Sequence, residues 1–268
     1  MSPVLEKRQA GTPTHQVMTR FLRYATRFAT NTQRHYKDTL FRLSPYLPRV
    51  IEKVTPEHLD IFVQSLKMAN SSKNARLTPV RSFFRYCEDY LGLPNPTKAV
   101  KKLPELPPRQ RVVTEDEYEK ILAVANPHEK AVIQFLANTG LRSAEFCALT
   151  PNNISPDKTY LTIIGKAQKR RCCPLNATCQ KNLSLIFSKS YTRNKLYNLT
   201  KSLARRANLP VFGPHALRHR FCTILLIKGV NIAIVSRILG HSTIAVTEKI
   251  YLHLRTPDFL GCTDVLDG

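Results

Sequence analysis

The 268-residue chain has no GxxxxGKS/T phosphate loop, no HExxH motif and no cluster of acidic residues spaced for divalent metals. Those absences argue against a nucleotide-driven motor and a two-metal nuclease. No apolar run approaches the roughly 20 residues that span a bilayer, and Met1 to Thr12 lacks the apolar centre of a secretion signal. The chain reads as soluble and intracellular. Seven cysteines are an odd number without CxxC spacing, which favours neither a disulfide framework nor a zinc knuckle. Reduced, mostly packed thiols are expected. There is no internal repeat and no low-complexity segment. Acidic residues are scarce, 19 against 41 lysines and arginines.

What is present fits a folded protein of one or two domains, with 43% apolar and 22% charged residues. The net charge of +22 divides evenly, +11 over residues 1–110 and +11 over 111–268. A field of that sign concentrates polyanions and points to nucleic acid, although an unspecific basic surface has the same composition.

Residues 14 to about 92 read as helices. Thr30 with Gln33 has the spacing of a capping box ahead of Tyr36, Leu40 and Leu43. Thr55-Pro56-Glu57 opens a second helix with an apolar face of Leu59, Phe62, Val63 and Leu66. A third, from about Ser72 to Leu91, interleaves Arg76, Arg81 and Arg85 with Phe83, Phe84 and Tyr86. A solvated helix with an aromatic core face has the same local pattern; the surplus of +11 favours a DNA-contacting helical domain over 14–103, with those arginines and Lys101 and Lys102 as DNA-binding residues. Pro94, Pro96, Pro104, Pro107 and Pro108 forbid a continuous helix, and Lys101, Lys102, Arg109 and Arg111 supply charge, so 104–113 reads as a basic, proline-rich linker.

From 114 onward a second domain begins. Thr114 and Glu117 form a capping box, and helical stretches follow through Ala131–Leu136 and from about Arg142 to Leu149. Then the period changes. Residues 160–164 and 171–175 are β-prone runs either side of the polar turn 165–170, which predicts a hairpin, and helical patterns return over 176–254. The expected fold is mainly α, with one small antiparallel sheet in the second domain.

Four places in this half hold candidate chemistry. Arg142 follows a tight turn at a helix start, with Glu145 three residues on. Lys166 sits in the hairpin turn. His215 and Arg218, at i and i+3, share a helix face and can address one phosphate. His241 begins a turn, and Tyr251 follows ten residues later. Each alone also suits an ordinary role as surface ion pair, turn residue, cap or core.

Taken in order, the segments TGLRSAEFCAL, IIGKAQKRRCCPL, HALRHRF and LGHSTIAVTEKIY resemble the arginine box, hairpin lysine, HxLRH box and LGH-to-nucleophile segment of the tyrosine site-specific recombinases, the phage-integrase and Xer-like family. The resemblance spans about residues 14–255. It implies that Tyr251 attacks a scissile phosphate and becomes joined to the DNA 3′ phosphate. It further implies that Arg142 and Arg218 hold the non-bridging oxygens, His215 assists proton removal from the tyrosine or hydrogen-bonds the phosphate, His241 donates a further hydrogen bond, Lys166 protonates the leaving 5′ oxygen, and Glu145 supports the arginines. No metal, ATP or other cofactor is implied. The implied partners are double-stranded DNA with inverted-repeat core sites and, in the synaptic complex, a homo-tetramer, in the cytoplasm and associated with the nucleoid.

The residue types suit that chemistry. A phenol with a pKa near 10 needs cations to stabilise its phenolate and the charge developing on phosphorus. A lysine, unlike an arginine, can release its proton. Two features depart from the pattern: Arg220, where a small polar residue is usual, is expected to add a phosphate contact or to alter site preference, and Cys172-Cys173 replaces a β-branched pair and is expected to pack. The 17 residues after Tyr251 leave only Phe259 and Leu260 as a C-terminal docking segment. The absence of a long arm-binding domain favours simple core-site recombination. A type IB topoisomerase-like relaxing enzyme, or a DNA-binding regulator that does not cut, remain alternatives.

Overall fold

The computed structural model describes residues 11–105, 111–165, 170–241, 243–245 and 247–248. Lys166, Tyr251, Arg109, Cys262, Phe259 and Leu260 lie outside the described residues. The chain divides into two compact units, Met1–Pro108 and Arg109–Gly268.

Among its described residues the first unit is built of helices, α1 (Thr14–Tyr24), α2 (Thr30–Leu43), α3 (Pro56–Ser65) and α4 (Asn70–Leu91). Its core is aromatic, with Phe21 packed edge-on to Phe83 at 5.4 Å and stacked on Tyr36 at 5.7 Å. The expected Thr30/Gln33 box is corrected. Helix α2 is preceded by Ala29, which has no side-chain cap, and the Gln33 amide donates to the carbonyls of Thr26 and Phe28. An amide that satisfies the preceding turn is not free to cap its own helix. Thr55 does open α3, with Pro56 in the first turn and the Thr55 N–H donating to His58 Nδ1 at 3.2 Å.

Helix α4 runs through a buried proline, Pro79. Having no N–H, Pro79 cannot satisfy the carbonyl of Ala75 one turn earlier, and His35 Nε2 on α2 bonds that oxygen at 3.3 Å. Beyond α4, Asn74 exchanges hydrogen bonds with the backbone of Leu103 and Asn70 donates to Pro104, so the chain is tied to the unit as far as residue 104.

The second unit contains α5 (Glu115–Val124), α6 (Pro127–Thr139), α7 (Ser143–Cys147), strands β1 (Tyr160–Ile164) and β2 (Arg170–Pro174), and helices α8 (Ala177–Phe187), α9 (Arg193–Arg206), α10 (Pro214–Ile227) and α11 (Ile232–Leu239). The Thr114/Glu117 box opens α5 as the sequence requires, and an Asn126/Glu129 box opens α6. The strands form one antiparallel pair with Leu161 opposite Cys173 and Ile163 opposite Arg171. Leu161, Ile163 and Cys173 face a core that includes Ile133, Leu136 and Leu217. The six described cysteines are unpaired and four of them are buried. Among the described residues no helix is long and apolar enough to cross a membrane.

Candidate active site

Two helix ends build the frame of the site. Helix α6 ends at Gly140 and α11 at Gly240, both left-handed at φ +61° and +66°, a conformation glycine adopts without penalty. A Cβ on Gly140 would fall 2.4 Å from the Phe221 ring, and one on Gly240 would fall 2.9 Å from Arg171 Cδ. Both positions therefore need glycine for space as well as for φ. Each end presents carbonyl oxygens that lack helical partners and sit at the negative pole of the helix dipole.

Those oxygens receive guanidinium groups. Arg218, on α10, donates to Gly140 O at 2.7 Å and Leu239 O at 2.8 Å. Arg142, at the N-cap of α7, donates to Gly240 O at 3.0 Å. Arg171, on β2, donates through Nε to Ile238 O at 2.8 Å. Three arginines distant in sequence thus meet around one turn.

Glu145 neutralises part of this charge. Being the third residue of α7, it accepts from the Arg142 N–H at 2.8 Å, as a capping residue does, and from Arg142 Nη1 at 2.9 Å. The same carboxylate takes both arms of Arg171 at 2.8 Å each, and Arg218 Nη1 stands 4.0 Å away. Burial alone would raise its pKa. The hydrogen bonds from Arg171 and from the Arg142 backbone, with the Arg171 charge, outweigh that and hold it at about 2. Arg218 is lowered to about 10, first by burial and then by Arg142, and stays cationic at neutral pH.

Imidazoles border the arginines. His241 Nδ1 bonds Thr247 Oγ1 at 2.8 Å; burial, then the charges of Arg218 and Arg142, lower its pKa to about 4. His215 lies on the exposed side of α10 and is lowered by partial burial and by the same two cations. His219 is lowered by burial, by His215 and by Arg218, and its buried Nδ1 has no partner among the described residues. All three shifts favour the neutral imidazole, which can accept one hydrogen bond.

Of the sequence-predicted residues, Arg142, Glu145 and Arg218 are therefore brought into contact, with His215 and His241 beside them. The sequence reading missed Arg171, although a signal existed. Arg171 and Cys173 alternate onto one face of β2, and Cys173 is fully buried, so the arginine points inward, where a charge requires a partner.

Two of the expected DNA contacts have partners inside their own unit. Arg220 is 7% exposed, donates to Glu115 at 2.5 Å and lies over the Tyr118 ring at 3.9 Å. Its charge is occupied within the second unit because α5 supplies both a carboxylate and an aromatic face. Arg76 likewise pairs with Asp38 and Thr39 of α2 and fastens α4 to α2. Arg81 is half-buried and donates to Val100 O at 3.2 Å. Arg85, Lys101 and Lys102 are exposed; Arg85 stands 3.8 Å from Asp89 and Lys102 3.3 Å from Glu105. Cys173 is packed as expected, and Cys172 is exposed. Among the described residues no group of three His, Cys, Asp or Glu side chains could hold a metal ion.

Comparison with known proteins places this geometry. Residues 111–257 match the phage integrase family. A tyrosine recombinase of Thermosipho africanus is 28% identical, the match covering 87% of this chain and 92% of that protein. The fold is that of the Tn1549 transposon integrase solved with transposon right-end DNA, with a TM-score of 0.75 at 17% identity, covering 96% of this chain and all of that one. The XerH recombinase bound to its palindromic difH substrate gives a TM-score of 0.72 at 17% identity, covering 94% of this chain and 84% of that one. The arginine boxes named above lie inside the matched span, and the chain belongs to the phage integrase family, as an enzyme of the tyrosine recombinase kind.

Proposed function

We propose that this enzyme cleaves and rejoins DNA strands through a 3′-phosphotyrosyl intermediate, without metal or ATP, as a homo-tetramer on paired inverted-repeat core sites in the cytoplasm, associated with the nucleoid. In the cleavage step the Tyr251 oxygen attacks the scissile phosphorus, the bond from phosphorus to the 5′ oxygen breaks, and a phosphotyrosyl ester forms. The phenolic proton passes to His215, and the leaving 5′ oxygen takes a proton from Lys166. Arg142 and Arg218 stabilise the charge on the two non-bridging oxygens, and His241 donates a further hydrogen bond there. A 5′ hydroxyl from the second duplex reverses the step and reseals a recombinant strand. In this reading residues 14–103 form the DNA clamp, 104–113 the linker and 114–268 the catalytic domain.

One observation carries the proposal: Arg142 and Arg218, 76 positions apart in sequence, are both fastened to the turn that ends α11 and share the neighbourhood of Glu145. Arg218 is buried and Arg142 partly exposed, and with Arg171 they set three guanidinium groups against the single carboxylate of Glu145. The positive charge left over is what a phosphate would balance.

The test is a nicked suicide duplex bearing the recognition site. Denaturing electrophoresis is expected to show a covalent protein–DNA band that Tyr251→Phe abolishes. Persistence of the band in that variant refutes the assignment of the nucleophile. Robust relaxation of a supercoiled plasmid that lacks the site would move the reading to topoisomerase-like chemistry.

A further inference from the structure

We propose that Arg171 is a positioning residue for strand cleavage, acting through Glu145 on Arg142; this rests on the recombinase reading above. Arg171 itself is not placed to hold a phosphate. Its side chain is 10% exposed, and each nitrogen already has an acceptor: Nη1 and Nη2 meet the two oxygens of Glu145 at 2.8 Å, and Nε meets Ile238 O at 2.8 Å. Arg142, by contrast, is 37% exposed and, among the described residues, is held at two points, the Glu145 carboxylate and Gly240 O.

The two arginines therefore share a carboxylate and grip neighbouring carbonyls of one turn. A closed ring results, in which β2, the start of α7 and the end of α11 are fastened to one another. The two-pronged contact from Arg171 fixes the plane of the Glu145 carboxylate, and that plane sets where the Arg142 guanidinium points. Gly240 completes the seat, since any side chain there would press on Arg171 at 2.9–3.1 Å. A long exposed arginine has many rotamers. Without the fixed carboxylate it samples them, and misplacement by about 1 Å at a reacting centre can cost about 100-fold in rate.

The experiment measures single-turnover formation of the covalent adduct on the suicide duplex by the full-length chain, with duplex affinity and helical circular dichroism measured in parallel. Arg171→Lys keeps the charge but cannot make the two-pronged contact, and Arg171→Met keeps the apolar stem without the charge. Both are expected to slow cleavage by about 10–100-fold, with duplex affinity changed by less than about 3-fold.

The distinguishing measurement repeats the assay on a duplex with a neutral methylphosphonate at the scissile position. There a correctly aimed Arg142 matters less, and the gap between wild type and either variant should shrink to within about 3-fold. An equally large gap on the neutral phosphorus means that Arg171 acts on the fold and not through Arg142, and overturns the proposal. So does a full cleavage rate in whichever variant retains its helical signal. If the wild type forms no adduct at all, the recombinase reading fails and this inference with it. If the wild type forms the adduct and the variants match it, this inference fails alone.

Discussion

Arg218 Nη1 donates to the carbonyl oxygen of Gly140 at 2.7 Å, so a buried cation closes the C-terminal end of α6. The contact exists because Gly140 takes a left-handed conformation with no side chain to fill the space against Phe221 and Leu239. Gly140→Ala combines left-handed strain with overpacking and is expected to lower stability by about 2–4 kcal/mol. Urea unfolding of the two proteins at neutral pH measures it. A loss below about 0.5 kcal/mol, the range of an ordinary surface substitution, would contradict the account of this helix end.

Arg220 separates charge that binds DNA from charge that builds the unit. Because its guanidinium faces Glu115 and the Tyr118 ring, Arg220→Met should lower stability by about 1 kcal/mol while leaving the salt dependence of DNA binding as it was. Glu115 is itself largely exposed, so removing its partner strands no buried charge. A shallower salt slope in the variant would return Arg220 to the DNA surface.

The same contrast holds in the first unit. Arg85 is 80% exposed and Lys101 is exposed, whereas Arg76, 21% exposed, pairs with Asp38 of α2. Arg85→Ala and Lys101→Ala should each reduce the log–log salt slope of DNA binding by about one. Arg76→Met should leave that slope alone and cost about 1 kcal/mol of stability. Binding isotherms at four salt concentrations decide between the two outcomes.

How far these features could be read from the sequence depended on how local their causes are. Thr55-Pro56, Thr114/Glu117 and the β-prone runs flanking Gly165 are short-range signals, and the α3 and α5 starts and the strand pair follow them. Thr30/Gln33 has the same spacing as a capping box, but the preceding turn offered Gln33 two free carbonyls and won. Pro79 lies inside α4 because His35, from another helix, takes the carbonyl the proline leaves open; nothing in the α4 sequence records that partner. In the site, the motif order identified Arg142, Glu145 and Arg218. The partners of Arg220 and Arg171 are 105 and 26 residues away; without them Arg220 reads as a phosphate contact and Arg171 is not singled out.

Acid should destabilise the protein in a window set by the site itself. His241 has an ordinary pKa of 6.5 and a folded value of about 4, owing to burial and the nearby arginines. Between those values the unfolded chain binds a proton that the folded chain refuses, so stability falls as pH drops from 6.5 to 4, by at most about 3 kcal/mol. His215 and His219, also lowered, act in the same direction. Glu145 extends the loss downward. Its folded value of about 2 against 4.5 makes its ionised form stabilising above pH 4.5, and that contribution disappears as pH falls from 4.5 toward 2. Urea midpoints at pH 7, 6, 5, 4 and 3 should therefore decline steadily in the wild type. His241→Gln, which cannot titrate, should decline less between pH 6.5 and 4 and match the wild-type slope below that range. Equal declines in the two proteins across the upper window would show that His241 is not held neutral by its surroundings, and would remove the basis for treating it as a neutral hydrogen-bonding group at the scissile phosphate.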